Sequence, residues 1–223
     1  MKKILLVLSA LSVIFVTGCA RRDKSADFIS LLRYDILYSE SEKYEIYAFK
    51  ELRETPLSDD GEKGEMQNLL TFKIVFKTDA VLRSSPVITF SLNGISYRKE
   101  FEYKPLSNFV ICSFFVPRQP DKKLETEICF DGDTKHYTLL SVINKKTLSH
   151  KEILCALKKA GDEDADVFFN GKTNYEIRIR LISSDGYICY YVGLLDKTKS
   201  VDFLLDGETG EILAKKNRMF VEK

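Results

Sequence analysis

Apolar positions recur at every second residue along most of this chain, the spacing of half-buried β-strands. Tyr34, Ile36 and Tyr38 hold that spacing, the polar stretch 39–42 interrupts it, and Tyr44, Ile46 and Ala48 resume it, which predicts a hairpin with a loose turn. Residues 53–68 are polar, contain Pro56, Gly61 and Gly64, and show no period, so they predict a loop. Residues 69–76 form an apolar run broken only by Thr71 and Lys73, and their β-branched and aromatic content predicts a buried strand. Residues 87–92 and 95–103 flank Asn93-Gly94, a dipeptide that takes positive φ at both central positions of a tight hairpin turn. Residues 109–116, 124–130 and 137–143 add three more strands. Short strands at regular spacing with turns between them predict a β-sandwich over residues 28–144.

The period then changes. Ser149-His150-Lys151-Glu152 is a capping box, in which hydroxyl and carboxylate each accept an otherwise unpaired amide at a helix start. The helix that follows places Ile153, Ala156, Leu157 and Ala160 on one face and Lys151, Cys155, Lys158 and Lys159 on the other, and Gly161 supplies its stop. Strict alternation returns in residues 175–181, and further strands are predicted over 187–195, 201–205 and 211–213. Residues 149–217 therefore predict a helix laid on an antiparallel sheet. The expected fold class is mainly β with an α+β part, in two domains.

Two resemblances refine that expectation. The strand succession of residues 28–144 looks like an immunoglobulin or fibronectin-like sandwich in architecture. The helix Ser149-His150-Lys151-Glu152-Ile153-Leu154-Cys155-Ala156-Leu157, the strand Tyr175-Glu176-Ile177-Arg178-Ile179 and the ending Leu205-Asp206-Gly207-Glu208-Thr209-Gly210-Glu211-Ile212-Leu213 resemble a PepSY domain. That resemblance implies a secreted helix-and-sheet module that binds or restrains peptidases.

The N-terminus bears on where the protein works. Lys2 and Lys3 precede a short apolar run from Ile4 to Val16, and Val16-Thr17-Gly18-Cys19 closes it with small residues, the layout of an export signal. The closing residues resemble the lipobox of bacterial lipoproteins. The resemblance implies that residues 1–18 are removed, that Cys19 carries the lipid, and that residues 19–27 tether an extracytoplasmic body to the cell membrane. Two acyl chains on one cysteine satisfy the two-signal requirement for stable anchoring. No other apolar run is long enough to cross a bilayer.

Lys and Arg number 34 against 33 Asp and Glu, with no block of like charge, which argues against nucleic acid as a partner. Cys112, Cys129, Cys155 and Cys189 stand in strand-like or helical surroundings without framework spacing and are expected to be free thiols. His136 and His150, the only histidines, have no ligand-spaced partner, so no metal or other cofactor is expected. The acidic run 162–166 begins like a calcium loop but has Val167 and Thr173 where such a loop needs glycine and glutamate, so it reads as a solvated helix exit. No catalytic motif is present, and the expectation is a binding protein rather than an enzyme. Candidate contact residues are Arg178 and Arg180, in a charged row with Glu176, and Tyr190 and Tyr191 on the following strand. The expected partner is a protein, a surface peptidase or another envelope component. The alternative from a different class is a structural lipoprotein that only spaces other components.

Overall fold

The computed structural model describes residues 24–54, 64–77, 83–104, 107–171, 175–184 and 186–220. Cys19 and the signal-like segment lie outside them, as does most of the expected loop after residue 54. A 3-10 turn at Lys24–Phe28 leads into β1 (Ile29–Glu40), β2 (Tyr44–Glu54), β3 (Met66–Phe76), β4 (Val87–Leu92), β5 (Ile95–Glu100), β6 (Glu102–Tyr103), β7 (Phe109–Phe115), β8 (Lys123–Phe130) and β9 (Asp133–Ser141). Two helices, α1 (His150–Lys159) and α2 (Glu163–Gly171), precede β10 (Glu176–Ser184), β11 (Tyr187–Leu195), β12 (Lys199–Asp206) and β13 (Ile212–Met219).

These strands form one sheet. All 13 described strands are hydrogen-bonded into it, with a main path in the order β13-β12-β11-β10-β1-β2-β3-β7-β6. Every ladder is antiparallel except β1 with β10, which run parallel with Leu32 beside Ile179 and Arg33 beside Arg180. This corrects the expected fold class. An immunoglobulin-like sandwich followed by a PepSY-like α+β module is overturned by a nearly all-antiparallel sheet that curls on itself. The physical reason is β1: its alternation is equally compatible with either neighbour, and it pairs with both.

The N-terminal strands roll into a nearly closed barrel. From β1 the sheet runs one way through β2, β3, β7 and β6, and the other way through β9, β8, β4 and β5. The expected single strand 95–103 is two pieces, because β5 pairs with β4 and β6 with β7. Phe101 is the corner between them, 2% exposed, with its amide bonded to the Pro86 carbonyl at 2.8 Å. The barrel interior is filled by strand side chains, including Leu37, Ile46, Leu70, Phe72, Ile88, Phe90 and Ile128. Stacked Tyr44 and Phe130, with ring centroids 4.3 Å apart, join its two layers.

The sheet forks where β1 shifts register between Arg33 and Asp35. Before the shift β1 borders β10; after it, Leu37 and Tyr38 border β9. Asp35 and Lys50 are buried there as an ion pair at 3.0 Å. Asp35 also accepts from the Ile36 amide at 2.8 Å and the Ser141 hydroxyl at 2.7 Å, and Lys50 donates to the Asp121 carbonyl at 3.0 Å. One carboxylate and one ammonium thus fasten β1, β2, β9 and the segment leading into β8. Burying charge is costly unless each lone pair and proton is used, and at this fork nearly all are.

Beyond the fork, α1 and α2 replace the second β layer. The expected capping box is present: the Ser149 hydroxyl accepts the Glu152 amide, and Glu152 accepts the Ser149 amide at 2.7 Å. Ile153, Leu154 and Leu157 of α1 and Ala165 and Phe168 of α2 bury against Ile177, Ile179, Val192, Val201 and Phe203. Ile29, Leu32 and Ile36 of β1 belong to the same core. Gly210 lets α1 sit on the turn before β13, since a Cβ there would lie 2.6 Å from the Ala156 Cβ. The acidic run is a correction too: rather than a solvated exit, Asp162 starts α2 by accepting the Asp164 and Ala165 amides at 3.1 and 3.2 Å. Lys215 of β13 pairs with Asp162 at 2.8 Å and Asp164 at 2.7 Å, tying the helix to the edge strand.

Candidate functional site

On the helix-covered half of the sheet, the side opposite the helices is open at Arg180, which is exposed, and at Arg178, which is half-buried. Alternation sends Ile177, Ile179, Val192 and Phe203 toward the helices, so Arg178, Arg180, Tyr191 and Asp202 point to the opposite side. By the same parity the barrel residues Ala48, Leu70 and Phe72 point inward, and Glu51, Phe49 and Thr71 point to the other side, where Glu51 and Thr71 are buried, each 6% exposed, and Phe49 is partly buried against the helix-side core. A polar row therefore crosses this side from β13 to β7.

Its residues connect in sequence. Arg218 pairs with Asp202 at 3.1 Å, and Asp202 accepts the Tyr191 hydroxyl at 2.7 Å. Tyr191 lies flat to reach it, across Gly193, where any Cβ would stand 2.7 Å from the phenol oxygen. Burial, reinforced by the Asp202 hydrogen bond, pushes the Tyr191 phenol up to about 12. Arg180 is exposed, with its guanidinium carbon 5.7 Å from the centre of the Tyr191 ring. Directly across the parallel ladder stands Arg33. Arg33 stacks on Phe49 at 3.9 Å and binds Glu51 through two nitrogens, Nε at 2.8 Å and Nη2 at 2.7 Å. Thr71 continues the row, 3.3 Å from Glu51 and 3.0 Å from the Ser113 hydroxyl. Burial lowers the Arg33 pKa; Glu51 opposes that, and the nearby Arg180 charge adds to it.

Among the described residues Arg180 forms no ion pair, in contrast to its neighbours. Arg178 is held by Glu176 at 2.9 Å, Arg218 by Asp202 and Arg33 by Glu51. Like charges set opposite each other on neighbouring strands are destabilising. The Arg33–Arg180 juxtaposition leaves a guanidinium fork facing solvent beside an aromatic ring, a geometry suited to a carboxylate.

Of the four expected contact residues, three are on this face. Arg178 is neutralised by its own strand neighbour, Arg180 is at the centre, and Tyr191 lies beneath it. Tyr190 is elsewhere: it is 1% exposed in the helix-covered core, donates to the Leu148 carbonyl at 2.8 Å, and is pushed up to about 12 by burial. That burial removes Tyr190 from the contact set. Arg33, Glu51 and Asp202 were not singled out from the sequence. The signal available was a charge pair, Lys50-Glu51, directly continuing the alternation that ends at Ala48.

The four described cysteines are free, Cys112 buried and Cys155 exposed, and burial pushes the Cys112 thiol up to about 12. His136 is exposed beside Glu127 at 3.5 Å, and His150 is lowered by burial. Among the described residues no group of three or more His, Cys, Asp or Glu side chains is arranged to hold a metal ion. No described helix is long and apolar enough to cross a membrane. No family model, curated protein or solved structure matches the chain.

Proposed function

We propose that this is a lipid-anchored extracytoplasmic binding protein whose open sheet face holds a carboxylate-bearing segment of a protein partner in the envelope. The observation that carries the reading is Arg180: exposed, without a carboxylate among the described residues, opposite Arg33 and over Tyr191. A carboxylate in that position relieves the repulsion between two guanidinium groups and gains charge-assisted hydrogen bonds. Arginine and tyrosine are also the side chains enriched where protein contacts concentrate their energy. The anchor rests on the Lys2-Lys3 start, the apolar run and Cys19. The partner is identified by its acidic chemistry.

The test is crosslinked capture from an envelope extract, with the wild-type protein and Arg180→Glu compared at two salt concentrations. A charge-assisted contact contributes about 1.5–3 kcal/mol, so reversal lowers capture of the specific partner by about tenfold or more. The loss is larger at low salt, because rim electrostatics are screened. Arg178→Glu has a smaller effect, since Glu176 already neutralises Arg178. Equal capture of every component by wild type and Arg180→Glu overturns this surface as the binding site and favours a spacer lipoprotein.

A further inference from the structure

We infer that the end of the body at which β1 begins seats on an anionic phospholipid surface through Met219 and Phe220. This rests on the reading that Cys19 is lipidated. The parallel and antiparallel registers bring five chain positions to one end of the sheet. Ile29 stands beside Ile177, Glu176 beside Leu195, Leu195 beside Ser200, and Lys199 beside Met219. The Phe220 amide completes that end by donating to the Thr198 carbonyl at 2.8 Å. The chain enters at this same end: Ser25 is buried and receives a hydrogen bond from Lys158 near the C-terminus of α1, and Phe28 stacks on Tyr175 at 4.4 Å.

Geometry then limits how far this end can stand from the lipid. Five residues lie between Cys19 and Ser25. Fully extended, the segment reaches about 20 Å, so the entry point is held within that distance of the acylated cysteine. From β1 to β13 is four strand spacings, about 19 Å in all. Register puts the far edge of the sheet at the same end as the tether. At that edge are the apolar side chains of Met219, 74% exposed, and Phe220, 44% exposed, next to exposed Lys197 and Arg218. Lys197 beside this apolar pair supplies the cation for an interface of acyl chains beneath anionic headgroups, while Arg218 is held by Asp202. With the strands upright, the open face with Arg180 stands perpendicular to the membrane, reachable from the side.

The chain contains no tryptophan, so a single introduced one reports alone. The experiment places Phe220→Trp, or Leu213→Trp as the comparison, in the full-length protein processed by the cell, and reconstitutes each into vesicles of phosphatidylglycerol and phosphatidylcholine with brominated acyl chains. Leu213 is 49% exposed on β13, seven residues before Phe220 and about 23 Å from it along the strand. The expected result is blue-shifted, strongly quenched emission at 220 and unquenched emission at 213. Flotation of the same samples separates the two readings. Protein that floats while Trp at 220 stays unquenched, or is quenched no more than at 213, overturns the seat and leaves the anchor standing. Protein that does not float overturns both.

Discussion

The two halves of the sheet bury the same kind of surface with different material. On the barrel side the covering layer is more strand, and its core of Leu37, Ile46, Phe72, Ile88 and Ile128 combines local hairpins, such as β4 with β5 and β8 with β9, with long-range pairings such as β3 with β7 and β1 with β9. On the other side the cover is two short helices that directly precede the strands they pack on. The open face differs as well. In the barrel half its charges are consumed internally, Arg33 by Glu51 and Glu51 by Thr71, whereas the helix-covered half leaves Arg180 unpaired. The contrast indicates that a sheet face becomes available for binding where its charges are left unsatisfied. Exposure of the strand alone is not sufficient.

The sharpest way to break the comparison is to cut between the halves. A chain of residues 145–223 retains both helices and β10 to β13 but loses Ile29, Leu32 and Ile36 from its core. It also exposes the β10 edge that β1 occupies. An uncovered edge beside an incomplete core favours association over folding. The expected outcome is loss of the cooperative urea transition, with strong binding of an apolar dye. A single cooperative transition in this fragment, at a midpoint near that of the whole protein, would make the halves independent units.

How much of this could be read beforehand follows from the range of each interaction. The Asn93-Gly94 turn, with φ of 53° and 79°, the capping box at Ser149, and strands β4 and β11 are written in adjacent residues and were legible. The parallel contact of β1 with β10 was not, because Ser30 reaches Glu176 across 146 positions and nothing in the alternation of either strand names the other. Helix α2 is not legible because its first four residues are three acids and one alanine and it buries only Ala165 and Phe168. The candidate site was half legible. Period 2 placed Arg178 and Arg180 on one face; that Arg33 stands opposite Arg180 depends on the register of a long-range pair.

The second way to test the comparison acts at the fork itself. Asp35→Ala deletes the partner of a buried Lys50 together with the acceptors for the Ile36 amide and Ser141 hydroxyl. Breaking a buried pair from one side costs about 3–5 kcal/mol, because the remaining charge is stranded. The expected effect is a lowered urea midpoint with an unchanged slope. The double variant Asp35→Leu/Lys50→Met recovers most of the loss, since no charge is left behind. A cost below about 1 kcal/mol for Asp35→Ala would mean that the fork is held by strand pairing alone.

The smallest expected effect compares one turn from each half. Asp206 accepts the Glu208 and Thr209 amides at 2.9 and 2.7 Å and the Thr209 hydroxyl at 3.0 Å, beside the Gly207 carbonyl that receives the Leu148 amide. Asp131, in the barrel half, accepts the Arg83 amide at 3.0 Å and the Ser84 amide at 2.9 Å. Backbone amides are the leading cause in both cases, and both carboxyls are held below their ordinary range. A carboxyl whose folded pKa is depressed adds stability at pH above its unfolded value, about 3.9, and loses that contribution as pH falls through the folded value. Asp206→Asn and Asp131→Asn should therefore each lower the urea midpoint slightly at pH 7, and the gap to wild type should close as the pH is taken below about 4. Both groups are solvent-exposed, so the gaps are small. The Asp206 gap should be the larger of the two, because its turn also supports the start of α1. A gap that stays constant with pH for either variant would show that the turn depends on shape alone and draws nothing from the carboxylate charge.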